Sequence, residues 1–343
     1  MTLPYLILSI LWFSLIAYAV FGGADFGAGF WDLLAAGPHA EGQHQLIDQA
    51  LGPVWETNHV WIIFLVVGLF SAFPVPFSLL VTVLFFPLTL ALIGIVFRGS
   101  AFVFRTHGLL KNRPASKIWT RIFSFSSILT PFCLGLSAAA VASGAIRVHG
   151  QATPVVDFGS IWLSPFALTI GCMAVALCAT LAAIYLTLEV VNNSLPELAE
   201  AFRLRGLIAG AVTALLGALG LWLSRTSAPF LWQGMVNHAF WLIITTMLIG
   251  LATALTLFFR YYRIARLGIV VETAFLLGSW GVSQIPYLVP PDITVNGGAG
   301  APATLYLLLI GVSLGLLIIL PSIYLLFYLV KFRNSVGFLE RSQ

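Results

Sequence analysis

FGGADFGAGFWDLL (residues 21–34), followed after a polar link by GPVWETNHVWIIF (52–64), is the part of the chain whose reading decides the fold. Both pieces are apolar enough for helices, yet they carry acids, an amide, an imidazole and closely spaced glycines. What makes them informative is the setting. Hydrophobic residues form 60% of the chain, charged residues 8%, and the mean hydropathy is +1.01. Such values exclude an ordinary soluble domain and mark a polytopic membrane protein.

A span needs about 20 apolar residues, so 343 residues with short links hold roughly nine. Apolar runs lie at about 3–34, 54–73, 77–104, 121–145, 159–190, 206–224, 236–259, 264–285 and 303–331. The first begins without a basic n-region or a small-residue cleavage site and is read as a retained helix. SAFPVPF (71–77) predicts a tight turn between antiparallel helices, because proline opposes helix continuation. In 192–206, Ser194 and Glu197 fit a capping box and Pro196 suits a first turn, which predicts a short surface helix. The expected architecture is one all-α integral membrane domain, 1–343, with halves 1–145 and 159–285 as four-helix bundles and 303–331 as an extra helix. That pairing rests on the count of runs, since no sequence repeat accompanies it.

Lysine and arginine orient the bundle, because cytoplasmic loops carry their excess. Fourteen of the sixteen follow odd-numbered runs, with Arg98 and Arg105 counted among them at the end of the third. Only Arg147 and Arg225 fall on the other side, so the N-terminus is expected outside and the C-terminus inside. This distribution accounts for the pI of 9.1 without a nucleic-acid partner. Cys133, Cys172 and Cys178 sit within apolar runs and are expected to be small buried hydrophobes, not a disulfide framework or a metal site.

A charge at the bilayer centre costs about 2.5–3.5 kcal/mol on insertion scales, so intramembrane acids call for a reason. Asp25, Glu56, Glu189 and Glu272 qualify, and the orientation sets all four toward the cytoplasmic side. A plain reading makes them interfacial acids that snorkel or pair with loop arginines. On helix geometry Gly22 and Gly29 share the Asp25 face, leaving room there for water or another side chain. Gly23 and Gly27 form a separate G-x-x-x-G packing ridge. Asp32, seven residues on, shares the Asp25 face and is expected to mark the membrane interface. Glu56 and His59 are three apart and share a face, with Trp55, Asn58 and Trp61 lining an adjacent one. An acid, an imidazole and an amide within two turns suit a proton relay, because histidine titrates near neutral pH. As a metal site the pair offers only two ligands. No P-loop, dinucleotide fingerprint or Ser-His-Asp set is present. Mid-helix prolines at Pro87, Pro131 and Pro321 suit kinked helices or, alternatively, the broken helices of a secondary transporter.

With G-G-A-D-F-G-A-G (22–29) and P-V-W-E-T-N-H-V-W (53–61), the chain resembles subunit II of cytochrome bd-type quinol oxidases. The resemblance implies two four-helix bundles plus one peripheral helix, in a prokaryotic cytoplasmic (inner) membrane. It implies a heterodimer with a subunit I that carries two b haems, haem d and the quinol site and reduces oxygen to water. Subunit II of that family carries no catalytic haem ligand. Asp25 matches the family's acid in the first glycine cluster. Glu56 matches the acid after the tryptophan, which is Asp in some relatives and is placed on a cytoplasmic proton path. An acid that some relatives have three residues before Asp25 is Gly22 here, which thins the hydrogen-bonding chain at the first helix. The resulting expectation is a proton pathway through Glu56, Asp25, His59 and Asn58, with Glu189 and Glu272 as weaker candidates. Gly22, Gly23, Gly27, Gly29, Trp55 and Trp61 are assigned to helix packing. Lipid, a structural quinone and small single-helix accessory subunits are the further companions that the resemblance allows. The competing expectation is a proton-coupled secondary transporter using the acids of the first two helices.

Overall fold

The computed structural model describes residues 2–35, 40–51, 55–107, 114–149, 153–155, 161–192 and 196–315, with isolated positions between 317 and 325. Seven of its helices are long and apolar enough to cross a membrane, in keeping with a multi-pass all-α membrane protein. Three shorter apolar helices, Asn58–Ala72, Pro74–Val83 and Pro302–Gly315, accompany them.

Helix α1 (Leu3–Leu33) has proline in its first turn, where the missing donor costs nothing. The short α2 (Ala40–Leu51) buries Leu46 and Ile47 and exposes Gly42 and Gln45, so it lies as an amphipathic cover against the end of α1. Next come α3 (Trp55–Ala72), α4 (Pro74–Val83) and α5 (Phe85–His107). The predicted turn at 71–77 is smaller than expected. Phe73 alone leaves the helix, at φ −134° and ψ 61°, and Pro74 opens a ten-residue helix. The predicted run 77–104 is in turn broken at Leu84. Pro87 explains that break, since it has no N–H for the carbonyl of Val83 and its ring crowds that carbonyl.

After α6 (Pro114–Ala142), the strands β1 (Arg147–His149) and β2 (Thr153–Val155) pair antiparallel. The second half holds α7 (Pro165–Asn192), α8 (Pro196–Ser227), α9 (Pro229–Asn237), α10 (Phe240–Phe258) and α11 (Tyr262–Gln284). A second small hairpin, β3 (Tyr287–Val289) with β4 (Ile293–Thr294), leads to α12 (Pro302–Gly315). The separate surface helix expected at 192–206 is instead the beginning of α8, which is continuous for 32 residues. Ser194 lies outside the described residues, so its capping role does too.

One regularity of the two halves was not visible in the count of runs. Ala228 leaves the helix before Pro229 at φ −144° and ψ 62°, nearly the geometry of Phe73 before Pro74. In both halves a helix of 18 residues or more is followed by a non-helical pre-proline residue, a helix of nine or ten residues and then a helix of 19 or more. The cause is the same each time, because a proline ring denies its predecessor the helical region. We propose that these halves are the two four-helix bundles, with α1 and α7 in contact where they meet.

That central contact depends on small residues. A Cβ on Gly27 would lie 1.8 Å from the Cys178 carbonyl oxygen, and one on Gly23 would lie 2.9 Å from Leu181. Trp31 Nε1 donates to the Ala179 carbonyl at 2.8 Å, and Ala28, Ala179, Ala182 and Ala183 complete the surrounding core. Of the cysteines, Cys133 is buried, Cys178 is half-buried and Cys172 is exposed, which corrects the expectation that all three are enclosed.

Candidate functional site

Residues seven apart on a helix return to within about 20° of one face. Asp25 and Asp32 stand in that relation on α1, and Arg98 and Arg105 on α5. Because Asp25 meets Arg98 and Asp32 meets Arg105, the two helices run in the same direction and the pairs form two rungs. The ring of Phe123 from α6 lies between them, 5.1 Å from the Arg98 guanidinium carbon and 4.6 Å from that of Arg105.

The upper rung is sealed. Arg98 Nη2 donates to Asp25 Oδ1 at 2.5 Å and to the Asp25 carbonyl at 3.2 Å. Arg98 is 0% exposed and Asp25 2%. The Phe26 ring also packs 5.1 Å from the guanidinium. Four enclosed polar atoms, namely Asp25 Oδ2, Arg98 Nε, Arg98 Nη1 and the Tyr18 hydroxyl, have no hydrogen-bond partner among the described residues. Each such atom costs about 1–3 kcal/mol when dry, so the cluster is chemically suited to ordered water or a moving proton. The lack of a side chain at Gly22 leaves room for the Tyr18 ring, which a Cβ there would approach to 3.1 Å.

Half-buried His59 on α3 lies within electrostatic range of Arg98 and Asp25. It borders a shallow groove lined by Val96, Gly99, Ser100, Val103 and Phe104 of α5. Asn58 is buried and donates Nδ2 to the Phe21 carbonyl at 3.3 Å, which pins α3 to α1 beside the rung. Half-buried Trp61 meets Phe13 edge-on at 6.0 Å, and its carbonyl accepts from Ser14 at 2.7 Å.

The lower rung is larger. Arg105 Nη1 donates to Asp32 Oδ2 at 2.7 Å, and its Nη2 bonds Asp48 Oδ1 on α2. His44 Nδ1 lies 2.6 Å from Asp32 Oδ1, and Ser124 donates to Asp32 Oδ2 at 3.2 Å. Burial raises the Asp48 carboxyl above the usual carboxylate range, while the Arg105 guanidinium pulls the other way. Arg205 on α8 closes the margin by donating to Gln43 at 2.9 Å and packing over Trp31 and Phe202.

The structure thus brings together Asp25, His59 and Asn58. The side chains of Glu56 and Trp55 lie outside the described residues, although both positions begin α3. Glu189 is exposed near the end of α7. Glu272 is half-buried in the other half of the molecule, its carboxyl in the notch left by Gly250 of α10. The space at Gly29 is filled by Ser127 and Phe123.

Asp32, expected to mark the membrane interface, is enclosed by its partners. One expectation changes. Arg98 and Arg105, counted as orienting charges, are buried counterions of α1. Sequence reasoning missed them as site residues. The available signal was the matched seven-residue spacing of two acids and two arginines within apolar runs.

A profile of the family described as Cytochrome bd terminal oxidase subunit II matches residues 3–330. The putative cytochrome bd menaquinol oxidase subunit II of Bacillus subtilis (strain 168) is 29% identical over 327 residues, 92% of this chain and 92% of that protein. The cytochrome bd-I ubiquinol oxidase subunit 2 of Escherichia coli (strain K12) is 23% identical over 244 residues, 69% of this chain and 62% of that one. Among solved structures, the bd oxidase from Geobacillus thermodenitrificans matches with a TM-score of 0.76 at 23% identity, over 97% of this chain and 99% of that one, a likeness of fold. These matches leave the transporter alternative without support. On a match that spans nearly its whole length, the chain belongs to the cytochrome bd terminal oxidase subunit II family.

Proposed function

We propose that the chain is the subunit of a bd-type quinol:oxygen oxidoreductase that ligates no haem, stabilises the haem-bearing subunit I, and conducts protons toward it from the cytoplasm. The observation that carries this reading is the enclosed Asp25, Arg98 and Tyr18 cluster with its unpaired polar atoms. Asp25 Oδ2 is the oxygen open to a proton, while Oδ1 is held by Arg98. His59 stands between this cluster and the α5 groove, and Glu56 shares its helix face three residues earlier. The groove lies beside an exposed apolar face that includes Val60, Ile63, Val96 and Val103, which suits cover by an apolar partner.

Oxygen reduction consumes protons. Drawing them from inside while quinol releases its own outside generates a membrane potential without a pump. Among the described residues no group of three or more His, Cys, Asp and Glu side chains is placed to hold a metal ion. Haem b and haem d are assigned to subunit I on the family resemblance. In the purified oxidase, Glu56→Gln is expected to slow oxygen consumption while the haem spectrum stays at wild-type intensity. Full activity in that variant would remove the proton-conducting role.

A further inference from the structure

The lower rung has an uneven charge count. Asp32 and Asp48 supply two carboxylates to one guanidinium, that of Arg105. Asp32 and Arg105 are buried while Asp48 is partly exposed, and two carboxylates around one enclosed guanidinium favour one additional proton. The geometry provides a place for it, because His44 Nδ1 and Asp32 Oδ1 are 2.6 Å apart, in the range of a charge-assisted bond. It also provides access. The His44 and Asp48 side chains are 30% and 28% exposed, whereas that of Asp32 is 0%. The groups facing the pair are Arg105 from α5, Asp48 from α2 and Ser124 from α6, with Arg205 of α8 engaged by Gln43.

We propose that His44, Asp32, Asp48 and Arg105 form a proton-loading site, which takes one exchangeable proton from cytoplasmic water and holds it at the His44 Nδ1 to Asp32 Oδ1 contact. This rests on the proton-conducting role proposed above and gives it an entrance. Asp25 lies seven residues, about 10.5 Å, farther along α1. Loading is simple protonation of the imidazole, with no bond to carbon and no redox change. The half-exposed pair admits the proton, and buried Asp32 is the group that faces inward.

The test is an infrared pH titration of the assembled, purified oxidase, with imidazole and carboxyl bands read in wild type, Asp48→Asn and His44→Arg. Wild type is expected to show one protonation step with an imidazole signature. Asp48→Asn balances the cluster and moves that step down by about one pH unit or more. His44→Arg supplies a permanent cation and abolishes it. A wild type without the step, an unmoved step in Asp48→Asn, or a surviving step in His44→Arg would each overturn the site. Because both side chains are partly exposed and are replaced conservatively in charge or shape, one variant suffices if the other does not assemble. Oxygen consumption on the same samples separates the two proposals. A step that responds as expected with an unchanged rate keeps the site and removes the conducting role, whereas a slowed rate with an unmoved step removes the site.

Discussion

Asp25→Asn isolates the energetic role of the upper rung. The substitution preserves shape but leaves the Arg98 cation in a pocket where it is 0% exposed. Breaking a buried pair by removing one partner costs about 3–5 kcal/mol. Solvent does not reduce this, because the side chains are only 1% and 2% exposed. Two contacts soften it. The Asp25 carbonyl still accepts from Nη2 at 3.2 Å, and the Phe26 and Phe123 rings remain 5.1 Å from the guanidinium. The lower end, about 3 kcal/mol, is therefore expected, or roughly a hundredfold in the local folding equilibrium. Thermal denaturation of the purified complex, followed by loss of the subunit, should detect it. The double variant Asp25→Leu with Arg98→Leu should recover much of the loss, because apolar replacement of a buried pair is often near neutral. A single variant as stable as wild type, or a double variant with no recovery, would refute the claim that Arg98 is held as a buried counterion.

Further expectations concern packing and pH. Gly27→Ala should weaken the α1 to α7 contact by about 1–3 kcal/mol or more, since the new Cβ meets the Cys178 backbone at 1.8 Å, and assembly yield reads it. Gly42→Ala is its control: nothing lies within 4 Å, and α2 should gain up to about 1 kcal/mol in thermal scans. Trp31→Phe removes the donor to the Ala179 carbonyl and should lower stability by about 1–2 kcal/mol in the same scans. Asp48 has a raised folded value, so its favourable contribution is present at acid pH and is lost as pH rises through that value. Scans upward from about pH 4 should therefore show a slope that flattens in Asp48→Asn, and an equal slope in both proteins would contradict it.

The all-α membrane character was legible because hydrophobic length reports it directly, although seven described helices, against nine expected runs, are long and apolar enough to cross a membrane, and Asp25 stood out because an acid in an apolar run is expensive. What escaped the sequence depended on contacts between distant segments. The orienting count treats arginines by sign and position, so it used Arg98 and Arg105 at the end of the third run only as orienting charges, although each finds its acid 73 residues away. The polar link yielded no element, yet α2 contributes His44 and Asp48 once its Leu46 and Ile47 are buried. The breaks at Phe73 and Ala228 rest on local proline chemistry and were accessible in principle. The continuity of α8 through 196–206 was not, because a capping signal marks where a helix begins and not how far it runs.

The central claim is that protons used by the oxidase pass through this chain. Time-resolved proton uptake at the cytoplasmic face of proteoliposomes, after an oxygen pulse to the reduced complex, tests it most directly. Glu56→Gln is predicted to delay uptake and oxygen reduction together with haem content unchanged, whereas uptake at the wild-type rate would contradict the account.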